Sequence, residues 1–445
     1  MADSAVRRRE ERRVLAGTLV GTTIEWYDFF IYAQAAGLVF GQLFFAPLGP
    51  TGAQIAAWAS LGISFLFRPL GAVIAGHLGD RLGRKKMLVL TLILMGLATA
   101  LIGVLPTYAD IGIMATVLLV LLRVLQGFSA GGEWGGAALM SVEHAPTGKR
   151  GLFGAYPQIG VPVGMILATF TMWVLTSNLT PEAFLEWGWR LPFLFSIVLI
   201  VVGYVIRRAV EESPVFLELQ ERRSESAAPL ATLFRHHGRE VLLTALIFIA
   251  NNAAGYLLIA FFTTYVSTVV GMPRPTALLM TTLAAFGWLV FTMLGGWMSD
   301  RIGRVRTFQL GYALIAVWSI PMWFLIDSGS VALFFVALFV LTIGLGLSYG
   351  PQAALYAEMF PADVRYSGVS IGYALGAILG GAFAPLIAEL LLTNTGHSWS
   401  IGVYVLAITL ISLVAVSLVK ETRGVALDTQ SLEVVAARTG AVRTR

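Results

Sequence analysis

Residues 76–105 read Gly76-His-Leu-Gly-Asp80-Arg81-Leu-Gly83-Arg84-Lys85-Lys86, then Met87-Leu-Val-Leu-Thr-Leu-Ile-Leu-Met-Gly-Leu-Ala-Thr-Ala-Leu-Ile-Gly-Val-Leu105. A basic, glycine-punctuated loop runs straight into a stretch without a single charge. The strands of a membrane barrel alternate apolar and polar residues over about ten positions, and this stretch does not alternate. A helix needs about 20 residues to cross roughly 30 Å of hydrocarbon, and this one has the length. It is a membrane helix.

Equivalent apolar stretches recur at 14–40, 54–77, 87–106, 112–138, 152–177, 190–207, 241–268, 276–298, 307–326, 331–357, 368–392 and 400–419. The chain therefore reads as an all-α membrane protein with twelve transmembrane helices. Composition agrees: of 445 residues 57% are hydrophobic and 12% charged, against about a quarter charged in a soluble chain. Zero cysteines exclude disulfides, thiolate metal sites and cysteine nucleophiles.

The net charge of +5 does not mark a nucleic-acid-binding face. With the N-terminus inside, 26 of the 30 Lys and Arg residues fall on cytoplasmic segments, which is the positive-inside signature. The expectation is a multi-pass protein of a bacterial cytoplasmic membrane, both termini cytoplasmic, its basic loops facing anionic lipids. No nucleic-acid partner is expected.

The chain also repeats itself. Gly296-Trp-Met-Ser-Asp300-Arg301-Ile-Gly303-Arg304-Val-Arg306 restates the Gly76–Lys86 loop 220 positions on. Glu143-x-x-Pro146-x-x-x-Arg150 returns as Glu358-x-x-Pro361-x-x-x-Arg365, 215 positions on, and Glu211-Glu212-Ser-Pro has its counterpart at Glu421-Thr422-Arg423-Gly424. Six-plus-six parallel repeats are a transporter architecture. The expected division is a six-helix bundle over 1–207, a cytoplasmic linker over 208–240, and a second bundle with a tail over 241–445. Topological anchors alone explain the arginines, but not the carboxylates recurring beside them. Asp80, Arg81, Arg84, Glu143, Arg150, Glu212, Asp300, Arg301, Arg304, Glu358, Arg365 and Glu421 are expected to form a charge network. It would tie the halves together on the inner side and break on inward opening.

Glu25, Asp28, Arg68 and Arg123 lie inside spans, away from both ends. Each costs about 2.5–3.5 kcal/mol on insertion scales, so lipid-facing placement is excluded unless the charge is answered. Glu25 and Asp28 share a face of span one. Asp28 is paired with Arg123 in this reading, and Arg68, before Pro69, is assigned to structure. The pair either pins two helices or exchanges a proton as it breaks. Gly127, Gly131 and Gly135 on span four permit close backbone approach, and Glu133 beside them is assigned a structural partner. Gln158, Asn251, Asn252, Tyr256, Tyr349 and Gln352, with Tyr373 a weaker candidate, are amides and phenols at mid-depth in both halves, which suits a central substrate site.

These motifs resemble the major facilitator superfamily along nearly the whole chain. Glu25-Trp26-Tyr27-Asp28-Phe29, Phe67-Arg68-Pro69-Leu70-Gly71, Gln126-Gly127-Phe128-Ser129 with Gly132-Glu133-Trp134, and Arg365-Tyr366-Ser367-Gly368 are similar to the metabolite:proton symporter family. That family includes carriers of shikimate, 2-oxoglutarate, citrate, proline and betaines. The resemblance implies alternating access and uptake driven by inward proton flow. It implies an aspartate–arginine pair between helices one and four, at Asp28 and Arg123, and a substrate-contacting glutamine at Gln158. Ser299 and Val305-Arg306 depart from the pattern of the first loop, which has Gly79 and Lys85-Lys86.

The expected function is proton-coupled symport of a small polar metabolite, an organic carboxylate such as a shikimate-like or dicarboxylic acid. Glu25, Asp28 and Arg123 would couple protons, and Arg123 would also offer its fork to the carboxylate. A drug-for-proton exporter and a proline or betaine symporter are the alternatives. No enzyme activity, metal or cofactor other than the proton is expected, and the protein is expected to act as a monomer.

Overall fold

In hydrocarbon, backbone N–H and C=O groups have no water to bond, so a chain this apolar must satisfy them inside helices. The computed structural model describes residues 2–82, 84–131, 133–146, 148–208, 229–361, 364–425 and 427, and among them it contains helices and no strand. The crossings are α1 (Ala2–Ala35), α2 (Gly49–Leu82), α3 (Arg84–Val104), α4 (Ile113–Ala130, resuming as Glu133–Glu143), α5 (Arg150–Asn178) and α6 (Arg190–Arg208). The second series is α7 (Gly238–Tyr256), α8 (Arg274–Ile302), α9 (Arg304–Trp318 with Pro321–Asp327), α10 (Val331–Tyr349 with Gln352–Met359), α11 (Arg365–Gly380 with Ala384–Thr395) and α12 (Trp399–Ser417). Each expected apolar stretch overlaps one of them, and those at 14–40 and 241–268 run on past Ala35 and Tyr256. Most of the expected linker, with Glu212, lies outside the described residues.

Among the described residues, eight crossings meet the length and apolarity of a membrane span directly, and two more do so as helix pairs bent by 44° and 51°. In α3 the apolar part that can be described is the shorter Val89–Val104, and α1 is interrupted by Glu25 and Asp28. The breaks have local causes. Pro321 and Pro351 lack the N–H that would continue the ladder, and α9 and α10 both break just before them. Asp110, between α3 and α4, accepts from the Thr107 N–H at 2.7 Å and hydroxyl at 2.8 Å. Those bonds hold its carboxyl below the usual range.

The packing repeats as the sequence does. In the first series α1 contacts α5 and α6, α2 contacts α4, and α3 contacts α4 and α6. In the second, α7 contacts α11 and α12, α8 contacts α10, and α9 contacts α10 and α12. Between the series, α5 lies along α8 and α2 along α11. The outer helices leave large apolar side chains exposed, such as Leu97 and Leu101 on α3, Val201 and Val205 on α6, Val317 on α9 and Val414 on α12. In water such surface would aggregate. Against lipid tails it is the outer coat.

Two features went unread in the sequence. α1 continues into a π turn at Ala36–Phe40 and α7 into one at Leu257–Phe261, 221 positions later. The two turns touch. Insertions of this kind re-aim a helix and leave a carbonyl outside the regular ladder.

The contact that places the central charges is backbone against backbone. A Cβ on Gly127 of α4 would stand 1.9 Å from the Ser64 carbonyl oxygen of α2, and one on Gly71 would stand 1.9 Å from that of Phe128. A larger side chain at Gly127 must therefore push α2 off α4. Gly127→Leu should cost at least about 2 kcal/mol, read as a drop of several degrees in the melting midpoint of the detergent-solubilised protein. Leu121→Ala, at a lipid-facing position 57% exposed, should leave it within a degree or two. Equal melting of the two variants would refute the close contact.

Candidate functional site

Glu25, Asp28, Arg68 and Arg123 are each at most 2% exposed, so none of the four faces lipid. Asp28 Oδ2 accepts from the Thr99 hydroxyl of α3 at 2.9 Å, and Oδ1 from the Ser196 hydroxyl of α6 at 2.6 Å. Thr99 in turn accepts from Gln126 Nε2 at 2.7 Å, and Gln126 Oε1 accepts from Arg123 Nη1 at 2.7 Å. Cation and carboxylate are thus the two ends of one file, Arg123–Gln126–Thr99–Asp28, with every donor pointing toward the carboxylate. Bonds aligned this way polarise one another in a low dielectric.

The expected direct pair is therefore corrected. Arg123 turns away from Asp28 because α2 captures it. Nη2 donates to the Leu61 carbonyl at 2.9 Å and the Ser64 hydroxyl at 2.6 Å, and the guanidinium carbon stands 3.7 Å from the Tyr32 ring centroid. Nε is 3.5 Å from the Ser60 carbonyl. Each of its three nitrogens already donates to protein, which competes with the expected carboxylate contact.

Thr99 has a second option. Its hydroxyl lies 3.0 Å from the Met95 carbonyl as well as 2.9 Å from Asp28, and a hydroxyl has one hydrogen to give. An ionised Asp28 draws that hydrogen, and a protonated one lets it return to Met95.

Between the two series lies a small cavity of about 10 Å³, room for a single water. Asn251, Asn252, Tyr256 and Tyr349 line it together with Trp26 and Trp288. Gln352 is buried on α10 but is not among the residues lining the cavity. Two expected contacts serve the protein itself. Gln158 accepts from Trp134 Nε1 at 2.8 Å and donates to the Tyr349 carbonyl at 3.2 Å, which bridges the halves. Asn251 Nδ2 donates to the Leu345 carbonyl at 2.9 Å and the Ser348 hydroxyl at 2.8 Å. Among the described residues, the Trp26 and Trp288 indole nitrogens, the Asn252 amide oxygen and the Tyr256 hydroxyl have no hydrogen-bond partner. Buried groups left so cost about 1–3 kcal/mol each, which a polar guest would recover.

The cavity is sealed at both ends. At the end bearing the arginine loops, Trp134 of α4 stacks on Tyr373 of α11 at 3.8 Å between centroids. Beneath it, Asp300 of α8 accepts from the Gly151 and Leu152 N–H groups of α5 at 2.8 and 2.9 Å, a carboxylate on a helix N-terminus. Asp300 also pairs with Arg304 at 2.6 Å, and Arg304 grips Glu358 through Nε and Nη2, both at 3.2 Å. Arg150 to Glu358 at 3.9 Å and Arg365 to Glu143 at 3.7 Å join the halves again. Among the described residues, Glu421 does not pair with a side chain. It caps α9 by accepting from the Arg304 and Val305 N–H groups at 2.8 and 3.1 Å. Arg301 is a correction: its side chain is exposed and sits 3.7 Å over the Trp297 ring instead of joining the carboxylates. The Asp80, Arg81 and Arg84 side chains lie outside the described residues.

At the opposite end, the Gln34 amide of α1 donates to the Ile259 carbonyl in the π turn of α7. Thr282 donates to Thr169 at 2.7 Å across α8 and α5. Thr99, Ser196 and Gln126 were not picked out as coupling residues. Gln126 stood in a quoted motif, whereas nothing local distinguishes Thr99 or Ser196 from other hydroxyls in apolar helices.

The geometry can be set beside known proteins. Residues 18–378 match the model of the Major Facilitator Superfamily. The chain is 40% identical to the inner membrane metabolite transport protein YhjE of Escherichia coli strain K12, over 92% of this chain and 94% of that one. It is 39% identical to the shikimate transporter of the same organism, over 93% and 95%. Its fold is similar to that of the proton:xylose symporter XylE bound to 6-bromo-6-deoxy-D-glucose, with a TM-score of 0.76 at 19% identity over 96% and 99% of the two chains.

If the carboxylate network holds its end shut, weakening it should open a path from that side. The protein contains no cysteine, so Ala353→Cys, at a buried position against α5, reports alone. Adding Asp300→Asn and Glu358→Gln should speed its reaction with a membrane-impermeant maleimide by about tenfold or more. An unchanged rate would reduce the network to topological anchoring.

Proposed function

The chain belongs to the major facilitator superfamily, and from that premise we propose that it is a symporter, carrying a small organic carboxylate into the cell together with protons by alternating access. It does so in a bacterial cytoplasmic membrane, both termini on the cytoplasmic side, with the proton as its only cofactor. The reading rests on one observation: a carboxylate 1% exposed, Asp28, is answered by two hydroxyls and linked to Arg123 through Thr99 and Gln126.

The coupling follows from charge. Glu25, Asp28, Arg68 and Arg123 sum to zero when all are ionised. A proton on Asp28 leaves this set of four with one uncompensated positive charge, which favours an anion. By linkage the bound anion raises the proton affinity of Asp28 by the same factor. Proton and acid then enter together, the interior is neutral again, and the neutral loaded state is the one that reorients cheaply through a low dielectric. Thr99 supports this scheme, since its hydroxyl has the Met95 carbonyl to turn to when Asp28 is protonated. The similarity to a shikimate transporter supports a hydroxylated carboxylic acid as cargo.

In proteoliposomes, an imposed inward proton gradient should accumulate the acid above its outside concentration. Expulsion of the acid would reject symport in favour of exchange. Asp28→Asn should abolish accumulation while preserving exchange of acid across the membrane, and its acid affinity should no longer rise as pH falls. Full accumulation by that variant would remove Asp28 from the mechanism. Thr99→Val keeps the shape and removes the hydroxyl, so accumulation should fall about tenfold while the melting midpoint moves little.

A further inference from the structure

Of the two arginines buried among the central helices, one is satisfied and one is not. Arg123 gives hydrogen bonds to Gln126, Leu61 and Ser64. Arg68 is 2% exposed, yet among the described residues its Nε and Nη2 have no hydrogen-bond partner. Aromatic faces surround it instead. Its guanidinium carbon lies 4.3 Å from the Phe29 centroid, 4.4 Å from Phe65 and 5.6 Å from Trp26. Contacts of this kind tolerate a cation but use none of the five directed N–H groups of the fork.

Its place in the fold is equally specific. Trp26 lines the central cavity, and the Phe65 ring meets the cavity-lining Tyr256 at 5.2 Å between centroids. Arg68 therefore stands one ring behind the cavity wall. Both Arg68 and Glu25 act electrostatically on Tyr256, Tyr349 and Tyr373. The backbone behind Arg68 is fixed, because a Cβ on Gly131 of α4 would stand 2.0 Å from the Arg68 carbonyl oxygen. A rigid base, a buried cation and unoccupied donors are costly to maintain unless something else completes them.

The geometry points to Arg68, and not Arg123, as the residue that receives the carboxylate of the transported acid, with the unpartnered Trp26, Asn252, Tyr256 and Trp288 groups taking its hydroxyls. This rests on the symport reading for the identity of the site but not on its proton coupling. When the cavity opens, the guanidinium leaves its aromatic faces and forms a forked pair with the carboxylate, for which an ammonium is a poor substitute. Arg123 meanwhile keeps its bonds to α2 and Gln126 and stays with the proton file.

A structural arginine and a ligand-binding one separate by stability. The test measures melting midpoints of the purified full chain, at one pH and without a proton gradient. The probes are quinate, 2-oxoglutarate and benzoate, each compared with its uncharged carboxamide. At least one acid should raise the wild-type midpoint, and its carboxamide should not. Arg68→Met should melt at or above the wild-type temperature, since it removes buried N–H donors that have no partner among the described residues, and its affinity for that acid should fall by about a hundredfold. Arg68→Lys should bind about tenfold more weakly than wild type.

The inference is overturned if no acid shifts the wild type or if carboxamides shift it equally. It is overturned also if Arg68→Met melts lower or fails to fold, or if either variant binds like wild type. Proton-driven uptake by a wild type that fails these criteria would leave symport standing without Arg68. Normal binding by a protein that does not couple would leave Arg68 standing without symport.

Discussion

An ionised group in hydrocarbon has to be answered by something, and this protein answers two of its charges through a file of neutral side chains. Arg123 and Asp28 share no direct contact, yet each hydrogen bond between them is at most 2.9 Å and all run in one direction. The rest of the first six helices serves that file. Gly71 and Gly127 let α2 and α4 touch backbone to backbone, which brings the Leu61 carbonyl to the guanidinium. α3 and α6 supply Thr99 and Ser196 to the carboxylate of α1. In the proposed symport, a proton arriving at Asp28 would alter the charge seen by every member.

Around this file the two helix series meet at both ends and enclose a cavity with room for about one water. One seal is electrostatic: Asp300 on the N-terminus of α5, with Arg304, Glu358 and Arg150 beside it. The other is made of neutral bonds, Gln34 to the π turn of α7 and Thr282 to Thr169. The two are chemically distinct, so one can break while the other holds. Packed interfaces of this kind switch between discrete arrangements and do not deform gradually, and that behaviour is what alternating access requires.

Much of this was legible in the sequence because it is written locally. Apolar length marks the spans, and the recurrence of Asp80 at Asp300 and of Glu143 at Glu358 marks the internal repeat. Mid-span charges mark the interior, since lipid excludes them. What stayed hidden depends on neighbours distant in the chain. Arg301 and Arg304 sit three residues apart in the same motif, but one lies over Trp297 and the other grips Glu358. Arg68 and Arg123 look alike as buried arginines, and only the carbonyls of α2 reveal that the second is occupied. Thr99 reads as any threonine in an apolar helix until Asp28 is found beside it. The π turns of α1 and α7 leave no compositional trace, as their residues are ordinary apolar helix formers.

The central claim is that anion and proton bind as one linked event at Asp28. Calorimetric titration of the transported acid into purified protein, in buffers of differing ionisation enthalpy, counts the protons taken up with each anion. Above the pH at which Asp28 titrates, wild-type protein should take up close to one proton per acid bound, and Asp28→Asn close to none. Acid binding by wild type with no proton uptake across that pH range would contradict the linkage.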